Sequence, residues 1–171
     1  MDVFINQQPI TNNRKMLKEK YAAEIAAIFA KYPPERKKSA TMPLLYLAQK
    51  EYGYCSDEAI REVADLVGSS PTDVKGVVGF YTMYYEKPVG KVVIDVCDDL
   101  PCALRGADKF VNHCENRLGI RAGETTPDGK ITLNVVMCLA ACDRAPLAQV
   151  NGEYAYDLDV EKFDKLIEEI K

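Results

Sequence analysis

The sequence predicts an α/β chain, a small all-helical part followed by a part in which strands and helices alternate. Three observations carry this reading. Up to about residue 80 the apolar residues recur at spacings of three and four, the period of amphipathic helices. From Lys91 the runs KVVIDVC and KITLNVVMC alternate apolar and polar residues instead, as half-buried strands do. The run AQVNGEYAY then places Asn-Gly between two alternating stretches, a two-residue hairpin signal.

Residues 1–12 show no clear period and are expected to form a flexible tail. A helical domain is expected over 13–86. Its first helix follows from Met16, Leu17, Tyr21, Ile25, Ile28 and Phe29, and ends at the double proline Pro33-Pro34, which cannot continue a helix. The second runs through SATMPLLYLAQKEYG, with Pro43 near the first turn and Gly53 as the stop. The third follows Ser56, buries Ile60, Val63, Ala64 and Val67 on one side, and stops at Gly68. SPTD opens the fourth, where Ser70 can cap, Pro71 suits the first helical position and Asp73 can reach back to the cap. Four short helices are thus expected in this part.

The remaining domain, 87–171, reads β-α-β-β-β-α. Its first helix carries Ala107, Phe110, Val111, Cys114 and Leu118 on one stripe, and its last carries Val160, Phe163, Leu166, Ile167 and Ile170. GETTPDGK reads as a plain turn, because Pro127, Asp128 and Gly129 are turn residues.

Composition narrows the function. The chain has 171 residues, 47% of them hydrophobic and 28% charged, with a net charge of −4. That balance argues against nucleic acid as the main partner, since phosphate binding needs a concentrated positive patch. The densest basic run, KYPPERKK, is expected to be a solvated loop. No window approaches the roughly 18 apolar residues of a membrane span, and MDVFINQQPI lacks the order of a signal peptide. A cytoplasmic protein without direct membrane insertion is expected.

Six cysteines in such a chain favour metal binding over structural disulfides, which a reducing compartment keeps open. Four of them form two close pairs, Cys97 with Cys102 in CDDLPC and Cys138 with Cys142 in CLAAC. A strand, a crossover helix and a second strand normally place the strands as parallel neighbours. Cys97 ends the first strand and Cys138 the second, so both pairs are expected in loops at one rim of the sheet, where open α/β sheets commonly bind ligands. Four thiolates can hold a tetrahedral zinc or a 2Fe-2S cluster, and the spacing leaves both open. Thioredoxin-type disulfide exchange is disfavoured, because no Cys-x-x-Cys occurs.

Cys114 lies in an apolar stripe and Cys55 at a helix edge, and both read as packing. His113, the only histidine, falls on a helical face expected to be exposed, with a surface role. No hydrolytic triad can be built around it, and no glycine-rich phosphate loop follows a strand. Asp98 and Asp99 make the first cysteine loop acidic, with Arg105 or Arg144 as possible counter-charges.

The runs SPTDVKGVVGFYTMYY, VCDDLPC, LGIRAGETTPDGK, CLAAC and APLAQVNGEY together resemble the small 2Fe-2S subunit of the NADH-oxidising module of respiratory complex I, a family also found in NAD-linked hydrogenases and formate dehydrogenases. The resemblance covers roughly residues 14–171. It implies a helical domain joined to a thioredoxin-like 2Fe-2S ferredoxin domain, with Cys97 and Cys102 on one iron and Cys138 and Cys142 on the other. It also implies a partner flavoprotein that binds FMN and NADH, no catalysis by the isolated chain, and a place in the peripheral part of a membrane-associated complex if that complex is complex I. The chain departs from the family at Ala140, where glycine is frequent, and in the acidic pair Asp98-Asp99. The competing expectation is a zinc-stabilised interaction module without a redox role.

Overall fold

The computed structural model describes residues 16–170, so the expected tail over 1–12 lies outside the described residues. The chain divides into two compact units, Met1–Pro88 and Val89–Lys171.

The first unit is helical: α1 (Met16–Lys20), α2 (Ala22–Phe29), α3 (Thr41–Tyr52), α4 (Asp57–Val67) and α5 (Pro71–Phe80). The single expected first helix is two, because Tyr21 leaves helical dihedrals at φ −117° and ψ 31°. Lys20 Nζ and Tyr21 Oη both reach the Glu51 carboxylate on α3, at 2.7 and 2.6 Å. Backbone bonds from Tyr21 to Leu17 and from Ile25 to Tyr21 bridge the break, so it is a kink. α2 also stops four residues before Pro33, because a residue preceding proline is pushed out of the α region and the chain unwinds through 3-10-type bonds at Lys31 and Tyr32. KYPPERKK is not a loop but leads into a 3-10 helix, Pro34–Ala40, with its charged side chains exposed as expected.

The other boundaries follow capping chemistry. Ser56 accepts from Ala59 N and Ser70 from Asp73 N, each satisfying a donor that the helix start leaves open. Gly53 and Gly68 end α3 and α4 at φ 79° and 67°, which a side chain would strain. Leu17, Ile25, Leu44, Leu45, Val63, Val74 and Val78 fill the core between these helices. Burying each such side chain contributes about 1.5–3 kcal/mol.

The second unit is a five-stranded sheet of order β2-β3-β1-β4-β5, built from β1 (Val92–Cys97), β2 (Glu124–Thr125), β3 (Ile131–Val136), β4 (Ala148–Val150) and β5 (Glu153–Ala155). β1 and β3 are parallel neighbours, as the crossover rule requires, and the other pairs are antiparallel. The segment read as a plain turn also contributes β2, which pairs with β3. Asn151 and Gly152 take the positive φ values of the hairpin turn, 50° and 86°, and Asn151 Oδ1 accepts from Val93 N at 2.8 Å.

Between β1 and β2 lie α6 (Leu100–Leu104) and α7 (Ala107–Leu118), and α8 (Val160–Ile170) follows the hairpin. Phe110 and Cys114 of α7 and Phe163 and Ile167 of α8 share one core with Ile94, Val96 and Leu133 of the sheet. Strand alternation turns Asp95 and Cys97 away from that core, toward the opposite face. His113 is not a free surface residue. Its Nε2 lies 3.0 Å from Asp164 on α8, which also takes Arg117 Nε at 3.0 Å. Among the described residues no helix is long and apolar enough to cross a membrane.

Candidate metal centre

Cys97 is the last residue of β1, and its N–H donates to Leu147 O at 3.1 Å while Asp98 N donates to Val136 O at 3.2 Å. These bonds hold the end of the central strand between its two neighbours. Cys102 is not in a loop, as the spacing suggested, but in the five-residue α6. Asp99 caps that helix, accepting from Leu100 N at 2.9 Å, and Pro101 occupies its first turn. Capping thus turns the chain back and carries the Cys102 sulfur to 3.3 Å from that of Cys97. The second pair lies beyond the end of β3, which stops at Val136, and its sulfurs are 3.5 Å apart.

The two pairs differ in surroundings. Cys97 and Cys102 are fully buried, packed with Ala107, Ala145 and Leu147 and flanked by Leu139 and Ala141. Cys138 is exposed and Cys142 half-buried. Leu100, Leu104 and Met137, each one or two residues from a site cysteine, are strongly exposed at 69, 81 and 76%.

Burial, then the hydrogen bond with Cys97, pushes the Cys102 thiol up to about 12, and negative charge on Cys142 and Cys138 pushes in the same direction. Cys142 is raised chiefly by its hydrogen bond with Cys138. Such thiols keep their protons at neutral pH until a metal displaces them, so loading releases protons.

The predicted counter-charges are engaged elsewhere. Arg105 Nη1 donates to the carbonyl oxygens of Asp143 at 3.0 Å and Ala145 at 3.3 Å, clipping the end of α6 to the segment after Cys142. Arg144 pairs with Asp157, its Nε at 2.7 Å. Neither neutralises Asp98 or Asp99.

The donor set fits a sulfur-ligated metal centre. Two thiolates on one tetrahedral metal, at about 2.3 Å from it, stand about 3.8 Å apart, a little wider than the 3.3 and 3.5 Å of the two pairs. The thiols meet two by two, and among the described residues no group of three or more His, Cys, Asp or Glu converges on a single ion.

A family model described as thioredoxin-like [2Fe-2S] ferredoxin matches residues 25–171. The chain belongs to this family. Its relatives include an NADH-quinone oxidoreductase subunit of Rhizobium meliloti (strain 1021), 42% identical over 148 residues, which cover 86% of this chain and 87% of the relative. Subunit 2 of the Thermus thermophilus NADH-quinone oxidoreductase is 47% identical over 125 residues, covering 73% and 69%. An NADH-quinone oxidoreductase subunit of Rickettsia prowazekii is 45% identical, covering 83% and 81%. In fold the chain is similar to an NAD+-reducing [NiFe]-hydrogenase in its H2-reduced state, with a TM-score of 0.66 at 24% identity over 74% of this chain and 22% of that one.

The remaining cysteines are core residues. Cys114 is buried in the ferredoxin-like unit and pushed up to about 12 by burial, and Cys55, buried in the helical unit, to about 11. Both are thus held as inert thiols. Sequence reasoning missed Arg105 as a clip between the cysteine segments, and Tyr154, whose hydroxyl donates to Leu139 O at 2.8 Å inside the second pair. The hairpin signal placed Tyr154 on a strand but gave no sign that its hydroxyl reaches a loop 15 residues away.

Proposed function

We propose that Cys97 and Cys102 hold one iron and Cys138 and Cys142 the other iron of a single 2Fe-2S cluster, and that the chain is the electron-transfer subunit of an NADH:quinone oxidoreductase. The observation that carries the assignment is the pairing of the four thiols, two at 3.3 Å and two at 3.5 Å. The identity of 42–47% with subunits of NADH-quinone oxidoreductases supports the quinone-linked complex over a hydrogenase or formate dehydrogenase. The chain works beside other subunits of that complex. Its immediate partner is a flavoprotein that binds FMN and NADH, and its place is the peripheral part of that membrane-associated complex.

When bound, the cluster takes up and gives back one electron. The protein's own residues set the conditions for that exchange. Cys97 and Cys102 hold their iron against the apolar floor of Ala107, Ala145 and Leu147, where water is excluded. Cys138 and Cys142 would hold the other iron nearer the surface, and the exposed apolar side chains of Leu100, Leu104 and Met137, close in sequence to the site cysteines, offer a partner an apolar approach. The chain alone binds neither FMN nor NADH.

Purification followed by a visible spectrum and by iron and sulfide analysis tests the reading. Two irons and two sulfides per chain are expected, with loss on Cys→Ser exchange at positions 97, 102, 138 or 142 and retention at 55 and 114. A colourless protein with one zinc, or equal iron loss at Cys114 and Cys138, contradicts it.

A further inference from the structure

One peptide group inside the second cysteine pair is engaged at both ends. Its carbonyl, Leu139 O, accepts the Tyr154 hydroxyl at 2.8 Å, and its N–H, on Ala140, donates to Cys138 Sγ at 3.4 Å. An amide is planar, so neither end can turn without the other. Ala140 sits at φ 60°, a left-handed conformation that a non-glycine residue holds only under constraint. The phenol supplies a constraint from outside the loop.

The phenol is itself fixed. Tyr154 and Tyr156, two residues apart and therefore on one side of the hairpin, stack with ring centroids 5.3 Å apart and planes 5° from parallel. The Arg144 guanidinium lies 4.8 Å from the Tyr156 centroid and is tied to Asp157. Arg144, just past Cys142, and Tyr156 and Asp157, just past the end of β5, thus hold the ring whose hydroxyl grips the loop.

We infer that Tyr154 is a positioning residue for the redox centre, its hydroxyl holding the Leu139–Ala140 peptide so that the Ala140 N–H points at the Cys138 sulfur and raises the reduction potential. The inference rests on the cluster assignment proposed above. Hydrogen bonds to ligand sulfurs help set the potential of iron–sulfur centres, because a donor at the sulfur favours the more negative, reduced state. A hydroxyl bound at the carbonyl polarises the same amide and strengthens its N–H as a donor.

Tyr154→Phe removes the hydroxyl and keeps the ring and its stack. In an EPR-monitored redox titration the variant should hold about one third of the parent's reduced-to-oxidised ratio at a given ambient potential. At 59 mV per tenfold for one electron, that is a potential about 28 mV lower. In the cluster-free chain, amide hydrogen exchange of the 138–142 segment should be faster in the variant. Equal potentials overturn the inference. If the variant carries too little cluster to titrate, the exchange comparison decides, and equal exchange overturns it. A parent chain with no reduced-cluster signal would instead remove the cluster assignment itself, an outcome separate from two proteins that titrate identically.

Discussion

Replacing Arg105 with Met should loosen the grip of the protein on its outer cysteine pair while leaving every cysteine in place. A single nitrogen of Arg105 donates to Asp143 O at 3.0 Å and Ala145 O at 3.3 Å, and methionine keeps part of the aliphatic stem without the donors. A hydrogen bond to a charged group contributes about 1.5–3 kcal/mol. One of the two contacts is solvent-exposed and both share one nitrogen, so about 1.5 kcal/mol for the pair is the defensible figure. At about 1.4 kcal/mol per tenfold, the 142–145 segment should open about ten times more often. If cluster loss proceeds through that opening, visible absorbance in anaerobic buffer with excess iron chelator should decay about tenfold faster in Arg105→Met, with Arg105→Lys in between. Equal decay rates would refute the clip. So would faster decay accompanied by a matching fall in global unfolding free energy, since the defect would then not be local.

Phe163→Ala removes a fully buried ring that meets Phe110 edge-on at 5.6 Å. It should cost about 3–5 kcal/mol in urea unfolding, and a loss under about 1 kcal/mol would contradict the packing. Asp98→Asn combined with Asp99→Asn should raise the cluster potential by roughly tens of millivolts, narrowing with added salt, because among the described residues neither carboxylate is paired with a cation and both oppose the incoming electron. An unchanged or lower potential rules that out. The hydrogen bond with His113, helped by the charges of His113 and Arg117, holds the Asp164 carboxyl below its ordinary range. A lowered carboxyl pKa contributes stability that is present above the unfolded value of about 3.9 and is lost as pH falls through the folded value. The parent should therefore exceed Asp164→Asn in stability at neutral pH and converge with it in acid, and a difference that persists in acid would contradict the clasp.

The features legible in the sequence are those decided within a few residues. Ser56, Ser70, Gly53 and Gly68 mark helix ends by local bonding and dihedral demands, and Asn151-Gly152 marks its turn in the same way. The kink at Tyr21 is hidden because it accompanies contacts to Glu51, thirty residues away. α6 is too short to show a period, although Asp99 and Pro101 are helix-start signals within the cysteine motif. β2 has two residues and exists through its pairing with β3. At the site, the four cysteines stand out because their spacing is chemical information in itself. Arg105 and Tyr154 do not, since each acts by a side chain reaching a distant carbonyl. Arg144 suggests a counter-charge only until its partner is known, because Asp157 lies on a turn that the folded hairpin alone brings near.

Because β1 lies in the middle of its sheet, both of its neighbours, β3 and β4, come later in the chain. The order of synthesis therefore matters. The helical unit, through Pro88, precedes all four cysteines in the chain and leaves the ribosome ahead of them. Translation proceeds at about 5–20 residues per second, so the roughly 45 residues from position 97 to position 142 take about 2–9 s. Throughout that interval Cys97, at the end of β1, and Cys102, on α6, lack the finished sheet around them, and Ala145 and Leu147, which pack against them, are made only after Cys142. Iron offered to the nascent chain would meet two solvent-washed thiols. The packing around the inner pair exists only once residue 147 has left the exit tunnel, so cluster insertion must follow the emergence of both cysteine pairs and of Ala145 and Leu147.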